Sequence, residues 1–384
     1  MKKIFKTILV IMCMMIVLSC NANEKNQRQN LNAFESKINI KDKHHIKVAL
    51  LLDTSNSMDG LIDQAKAQLW DMVNELSYAK CDDEKPNLEI ALYEYGNDRL
   101  NADEGYIRQV LAFSDDLDEI SKQLFSLTTN GGNEYCGHVI QTSLNQLKWG
   151  NNADDLKLIF IAGNEPFTQG KINYQDATKQ AHKSNITVNT IFCGDYNQGI
   201  ANFWKDGADK AHGDYMAINH NHETTYVATP YDDKILMLNQ KLNDTYIAYG
   251  HIGEQKMALQ AEQDVNASGY SEENAVSRTV SKSSHLYKNS SWDLVDADQD
   301  NEFSYESLKK EELPNELKNK SVTEMKAYVS KKRKERKTIQ DDIHQLNKKR
   351  RAFIASQKED ENNSLENAMI NAIKTQAKKK KYTW

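Results

Sequence analysis

Short apolar runs alternate along the chain with longer stretches in which apolar positions recur every three or four residues. Ile46–Leu52 is a near-continuous apolar run, the pattern of a strand buried on both faces. Behind it, within Met58–Ala79, the residues Leu61, Ile62, Ala65, Leu69, Met72, Val73 and Leu76 keep helical spacing. Asn87–Gly96 and Tyr106–Phe113 read as strands. Asp116–Leu127 reads as a helix with acidic residues at its start, where the positive end of the helix dipole favours them. Gly137–Trp149, Tyr174–Lys183 and Ile200–Ala211 are further helices, and Leu156–Ile161, Ile186–Cys193 and Tyr215–Ile218 further strands. This alternation predicts an α/β fold, a doubly wound and mostly parallel sheet covered by helices on both faces.

Beyond residue 225 the strands stop. Leu236, Leu238 and Leu242 give Thr225–Tyr249 a helical face, whereas 250–290 is polar and weakly patterned. The last segment is charged and helical, with Ile339, Ile343, Leu346, Phe353 and Ile354 as a narrow apolar seam. Such a seam suits a helical hairpin or a short coiled coil. The expected layout is a leader at 1–19, a tether at 20–45, the α/β domain at 46–225, a helical and irregular connection at 226–307, and a basic helical extension at 308–384.

The leader is not fold. Lys2, Lys3 and Lys6 precede the apolar run Ile8–Leu18, a basic and then apolar pattern that marks a secretory signal. The run is too short for a comfortable membrane span. Val17-Leu18-Ser19-Cys20 resembles the lipobox of bacterial lipoproteins, which implies cleavage that leaves Cys20 as a lipidated N-terminus. The expected location is the cell envelope, anchored by lipid. Asn21 stands where inner-membrane lipoproteins carry an acid, so the resemblance leans to the outer membrane. The following NANEKNQRQNLNAFESK is too poor in large apolar residues to fold alone.

Charge divides the chain. Residues 308–384 hold 21 Lys and Arg against 11 Asp and Glu, net +10. The whole chain is −6, which leaves −16 for the rest. This predicts attraction within the chain or an acidic partner. The basic runs Lys331–Lys337 and Lys348–Arg351 contain no interleaved aromatics, so base stacking is unsupported and nucleic acid is not an expected partner. A solvated helical face is the plain reading of these runs.

The stretch Leu51–Gly60, LLDTSNSMDG, carries the candidate chemistry. Ligands of open parallel sheets bind at the carboxyl ends of the strands, and Asp53 stands at such an end. Asp53, Ser55 and Ser57 alternate, so one carboxylate and two hydroxyls share one side of the loop. Hard oxygen donors of this kind suit Mg²⁺, with Mn²⁺ or Ca²⁺ as alternatives. The helix that follows points its positive end at the same place.

Asp53-Thr54-Ser55-Asn56-Ser57 in this strand–loop–helix context resembles the D-x-S-x-S signature of the von Willebrand factor type A domain. The resemblance spans roughly 46–225 and implies a metal-ion-dependent adhesion site, whose coordination is completed by an acidic residue of a protein partner. It also implies ligands on two later loops. In Thr128–Gly137, Asn133 stands in the place of the family's threonine, with Glu134 beside it. In Ala162–Pro166 the family's aspartate is missing, and Asn164 or Glu165 must substitute. Both replacements still offer oxygen. GGNEYCGHV and FIAGNEPFTQG also resemble a bacterial envelope subgroup with a charged helical C-terminal extension.

Other motifs are weaker. Cys136 and Cys193 are both expected near one edge of the sheet, as a disulfide or as two buried thiols. Cys81 is expected on the opposite side. Asp296–Asp300 looks like the start of a calcium loop, but Asn301 and Ser307 occupy the positions of its glycine and its bidentate glutamate. His212, Asp214, His220 and His222 lack closed zinc spacing. There is no G-x-S-x-G, phosphate loop or H-E-x-x-H. The expected function is therefore a non-enzymatic binding module in the envelope. A scaffold acting through its charged helices, with a structural or vestigial metal site, is the alternative, and a metal-dependent hydrolase the weakest reading.

Overall fold

Strand β1 (His45–Asp53) is the hub of the sheet. The computed structural model describes residues 44–219, 227–357 and 365–384. The leader, Cys20 and the tether to residue 43 lie outside the described residues, as do His220 and His222. Around β1 run β3 (Asn87–Tyr95), β4 (Ile107–Ser114), β5 (Leu156–Gly163), β6 (Thr187–Cys193) and β7 (Tyr215–Ile218), in the order β4-β3-β1-β5-β6-β7. All pairs are parallel except β3–β4, which places one antiparallel strand at an edge. The register aligns His45 with Asn87 and Asp53 with Tyr95.

The two-residue period of β1 divides its side chains between two cores. Ile46, Val48, Leu50 and Leu52 enter one, with α1 (Asp59–Leu76) and α2 (Leu117–Phe125). Ala49 and Leu51 enter the other, with α3 (Cys136–Gln146), α4 (Tyr174–Lys183) and Trp204 of α6 (Trp204–Lys210), which follows the short α5 (Tyr196–Ala201). The doubly wound architecture read from the sequence is the one observed.

A disulfide between Cys136 and Cys193 does not form. Both thiols are buried and unbridged. Cys136 lies in the core with Tyr95 and Ile161, whereas Cys193 lies in the core with Leu52 and Ile191. The sheet stands between them, because residues on its two faces share an edge without being able to meet.

The C-terminal half extends the α1 side. Its helices are α7 (Asp232–Asn243), α8 (Gly253–Tyr270), α9 (Glu272–Ser283), the single turn α10 (Leu294–Ala297), α11 (Val322–Gln357) and α12 (Leu365–Lys378). Ile235, Leu242, Val276, Val280, Ile343 and Ile373 join the same core as α1. The weakly patterned 250–290 stretch is thus largely helical. Its pattern was hidden because α9 buries polar groups: Arg278 pairs with Asp118 at 2.8 Å and Asp264 at 2.5 Å, and Lys282 with Asp264 at 2.8 Å.

The seam of α11 is half ionic. Val329, Arg336, Ile343 and Arg350 recur every seven residues and are all buried. Arg336 pairs with Asp293 at 2.6 Å and Asp296 at 2.8 Å, and Arg350 with Asp232 at 3.0 Å. The helix packs on this chain's own α7 and α9. Asp296 and Asp298, read as the start of a calcium loop, instead take Arg336 and Arg333. The attraction between acidic front and basic tail is therefore intramolecular at these positions. The chain closes with β8 (Tyr382–Thr383), antiparallel to β2 (Lys80–Cys81), and Tyr382 donates to the His45 carbonyl at 3.3 Å.

Candidate metal-binding site

Three loops at the carboxyl end of the sheet build the site. On the first, the Ser55 amide donates to Asp53 Oδ1 at 2.7 Å, which fixes the carboxylate against its own loop. The Thr54 amide donates to the Tyr95 carbonyl at 2.9 Å. This anchors the loop to β3. Ser55 and Ser57 then stand with their hydroxyl oxygens 3.4 Å apart.

The second loop is clamped by the end of β3. Asn97 Nδ2 donates to the Thr128 carbonyl at 3.0 Å, and the Asn130 amide donates to the Thr54 carbonyl at 2.9 Å. The clamp delivers Glu134 into the buried interior beside Asp53. Asn133 stays exposed, so Glu134 is the member of that pair brought to Asp53. Thr129 Oγ1 also donates to Asp59, in the first turn of α1.

On the third loop, Asn164 Nδ2 donates to Ser57 Oγ at 3.1 Å. Glu165 is exposed and accepts from Gln169 at 3.0 Å, while its backbone carbonyl takes the Trp204 indole at 2.8 Å. Of the residues expected at the site, Asp53, Ser55, Ser57, Glu134 and Asn164 are linked together, with Glu165 at the rim.

Sequence reasoning missed the end of β3. Gly96 has φ +79°, and a Cβ there would lie 2.7 Å from Glu134 Cγ and 2.9 Å from Asp53 Oδ1. Only glycine allows this approach at no cost. Tyr95 lies beneath, fully buried, and its hydroxyl donates to the Ala162 carbonyl at 3.0 Å. The available signal was a strand ending in Gly-Asn at the same end of the sheet as Asp53.

Burial raises the Asp53 carboxyl well above the carboxylate range, and the charge and hydrogen bond of Glu134 raise it further against the Ser55 contacts. Burial also raises Glu134, opposed by hydrogen bonds to Asp53 and Ser55. Two buried carboxyls this close cannot both ionise without a cation. Asp53 Oδ2, Glu134 Oε2 and Asn164 Oδ1 are buried with no hydrogen-bond donor. Unsatisfied oxygens beside two serine hydroxyls are the donor set of a hard divalent ion. The residues present fit such an ion.

Residues 47–228 match the family model for the von Willebrand factor type A domain. Among solved structures, the SpRpn10 VWA domain is similar at 17% identity and TM-score 0.34, over 45% of this chain and 87% of that one. The conserved hypothetical protein BatB from Bacteroides thetaiotaomicron is similar at 15% identity and TM-score 0.35, over 45% of this chain and 90% of that one. An aerotolerance-related membrane protein from Bacteroides fragilis NCTC 9343, with multiple mutations to serines, is similar at 16% identity and TM-score 0.32, over 46% and 93%. No curated protein matches the chain. Among the described residues no helix is long and apolar enough to cross a membrane.

Proposed function

Residues 47–228 of this chain form a von Willebrand factor type A domain, and from that premise we propose that it is a non-enzymatic module that binds a protein partner through a divalent ion. The observation that carries this reading is the buried Asp53–Glu134 pair, with oxygens that no donor satisfies. Asp53, Ser55, Ser57, Glu134 and Asn164 would hold the ion, Mg²⁺ by donor chemistry. When bound, the ion supplies a positive point to which an acidic residue of the partner adds its carboxylate. The Ser55 amide keeps Asp53 aimed at that point, and Asn164 orients the Ser57 hydroxyl. Gly96 lets Glu134 approach without displacing Asp53.

We place the protein in the cell envelope, held by lipid at Cys20, on the strength of the lipobox-like Val17–Cys20. The alternative, a scaffold acting through its basic helices, has less to draw on. Arg336, Arg350 and Arg351 are already paired with acids of the same chain.

Calorimetric titration of Mg²⁺ and Mn²⁺ into the full chain tests the reading beside Asp53→Ala and Glu134→Gln. Binding that both substitutions remove supports it. Binding that neither affects, or no binding in any of the three, overturns it.

A further inference from the structure

The opposite pole of β1 carries a second group of ligating side chains. His44 precedes β1, Cys81 belongs to β2, and Asp82 lies in the turn after it. They bring an imidazole nitrogen, a thiol sulfur and a carboxylate oxygen within 4.8 Å of one another. The His44 side chain is only 10% exposed. Neither of its ring nitrogens has a hydrogen-bond partner, although buried polar groups are nearly always satisfied. Its Nε2 stands 3.9 Å from Asp82 Oδ2, beyond hydrogen-bond reach. The ring of Tyr382 meets the imidazole edge-on at 6.3 Å.

The backbone presents this group deliberately. Asp82 and Asp83 both adopt left-handed conformations, φ 50° and 64°. The turn they make is closed by reciprocal 2.9 Å hydrogen bonds between Cys81 and Glu84. Left-handed backbone carries a cost for any residue with a Cβ, though acids tolerate it better than most.

We propose that His44, Cys81 and Asp82 form a binding site for a zinc-class divalent ion, with water in the fourth position. Tetrahedral zinc ligands stand about 3.3–3.8 Å apart, given their bond lengths of about 2.0–2.3 Å. The trio reaches that spacing by contracting about 1 Å, and the half-exposed Asp82 carboxylate is the arm free to swing. A thiolate and an imidazole select a borderline ion over Mg²⁺ or Ca²⁺. The chemistry is thus unlike the all-oxygen site at Asp53, which lies about 30 Å away along β1 at strand rise. Bound there, the ion clasps the start of β1 to the β2 turn, and through β2 to the C-terminal strand β8.

The test is to load the metal-free full chain with Co²⁺ and follow the thiolate-to-cobalt charge-transfer absorption. One equivalent should give the band, and Zn²⁺ should displace it. Asp53→Ala should keep it, Cys81→Ser should abolish it, and His44→Gln should lose tight binding, with circular dichroism confirming the fold of each variant. Should Cys81→Ser fail to fold, Asp82→Asn at its half-exposed position carries the test, and an unchanged cobalt affinity there overturns the site. No band in the native chain, or a band indifferent to His44→Gln and Cys81→Ser, likewise overturns it.

Discussion

The buried carboxyl groups of Asp53 and Glu134, carried by separate loops, meet beside Gly96 at the carboxyl end of the sheet. Without a cation the pair is a standing cost. Asp53→Asn should therefore raise the melting temperature in chelator, by the equivalent of about 1–2 kcal/mol, because one buried acid is gone. Added Mg²⁺ should reverse the order. The native chain gains about 2.7 kcal/mol at a hundredfold excess over Kd, whereas the variant gains nothing. Thermal melts with EDTA and with Mg²⁺ decide this. Equal magnesium shifts in both proteins would remove Asp53 from the site.

Gly96→Ala should damage the site more than the fold. The φ of +79° costs an alanine about 1 kcal/mol. The new methyl would also sit 2.7 Å from Glu134 Cγ and push that side chain away from Asp53. The expected result is a small drop in urea midpoint with loss of most Mg²⁺ affinity, read by parallel denaturation and calorimetry.

Asp264 holds α8 and α9 together. Burial works to raise its carboxyl, yet Arg278 and Lys282 outweigh that and hold it below the usual carboxylate range. Burial pushes Lys282 down to about 8 even beside this acid. Asp264→Ala leaves two buried cations short of their counter-charge and should cost about 3–5 kcal/mol. Chemical denaturation measures it, and a loss under 1 kcal/mol would show that water reaches the cluster.

Asp296 should give the fold a pH dependence. Burial and the neighbouring Asp293 lift it to about 6, although Arg336 pulls the other way. An unfolded Asp titrates near 3.9, so the folded state holds an extra proton between those values. Its contribution is full below about pH 4 and is lost as pH rises through about 6, amounting to about 2–3 kcal/mol. Asp296→Asn should flatten that part of the profile. Melting temperatures from pH 4 to 7.5, native against variant, check it.

Much of this was legible in the sequence because local pattern and topology agreed. Ile46–Leu52 is apolar at both periods of two except at Lys47, which marks it as a central strand. Asp53, Ser55 and Ser57 are neighbours in sequence, and their shared side follows from spacing alone. The choice between Asn133 and Glu134 was not legible, because it depends on Asn97 and Gly96 setting the second loop's path from another strand. The choice between a disulfide and two buried thiols at Cys136 and Cys193 stayed open for a related reason. A strand shows that it is buried, but a cysteine at its end does not show which layer it enters. Helix α9 was hidden because Arg278 and Lys282 fill core positions that a hydrophobic pattern leaves blank.

The pairing of β1 has a mechanical consequence. The described chain enters the fold at His44, next to the start of β1, and Asp53 closes the far end of the same strand. Tension between those points runs along the strand axis. β3 flanks β1 over its whole length, and β5 over all but its ends. Both neighbours are parallel to it, so their hydrogen bonds are loaded together in shear and do not open one after another like a zip. A pull applied at the Asp53 loop is thereby spread across the centre of the sheet, and the loop does not bear it alone.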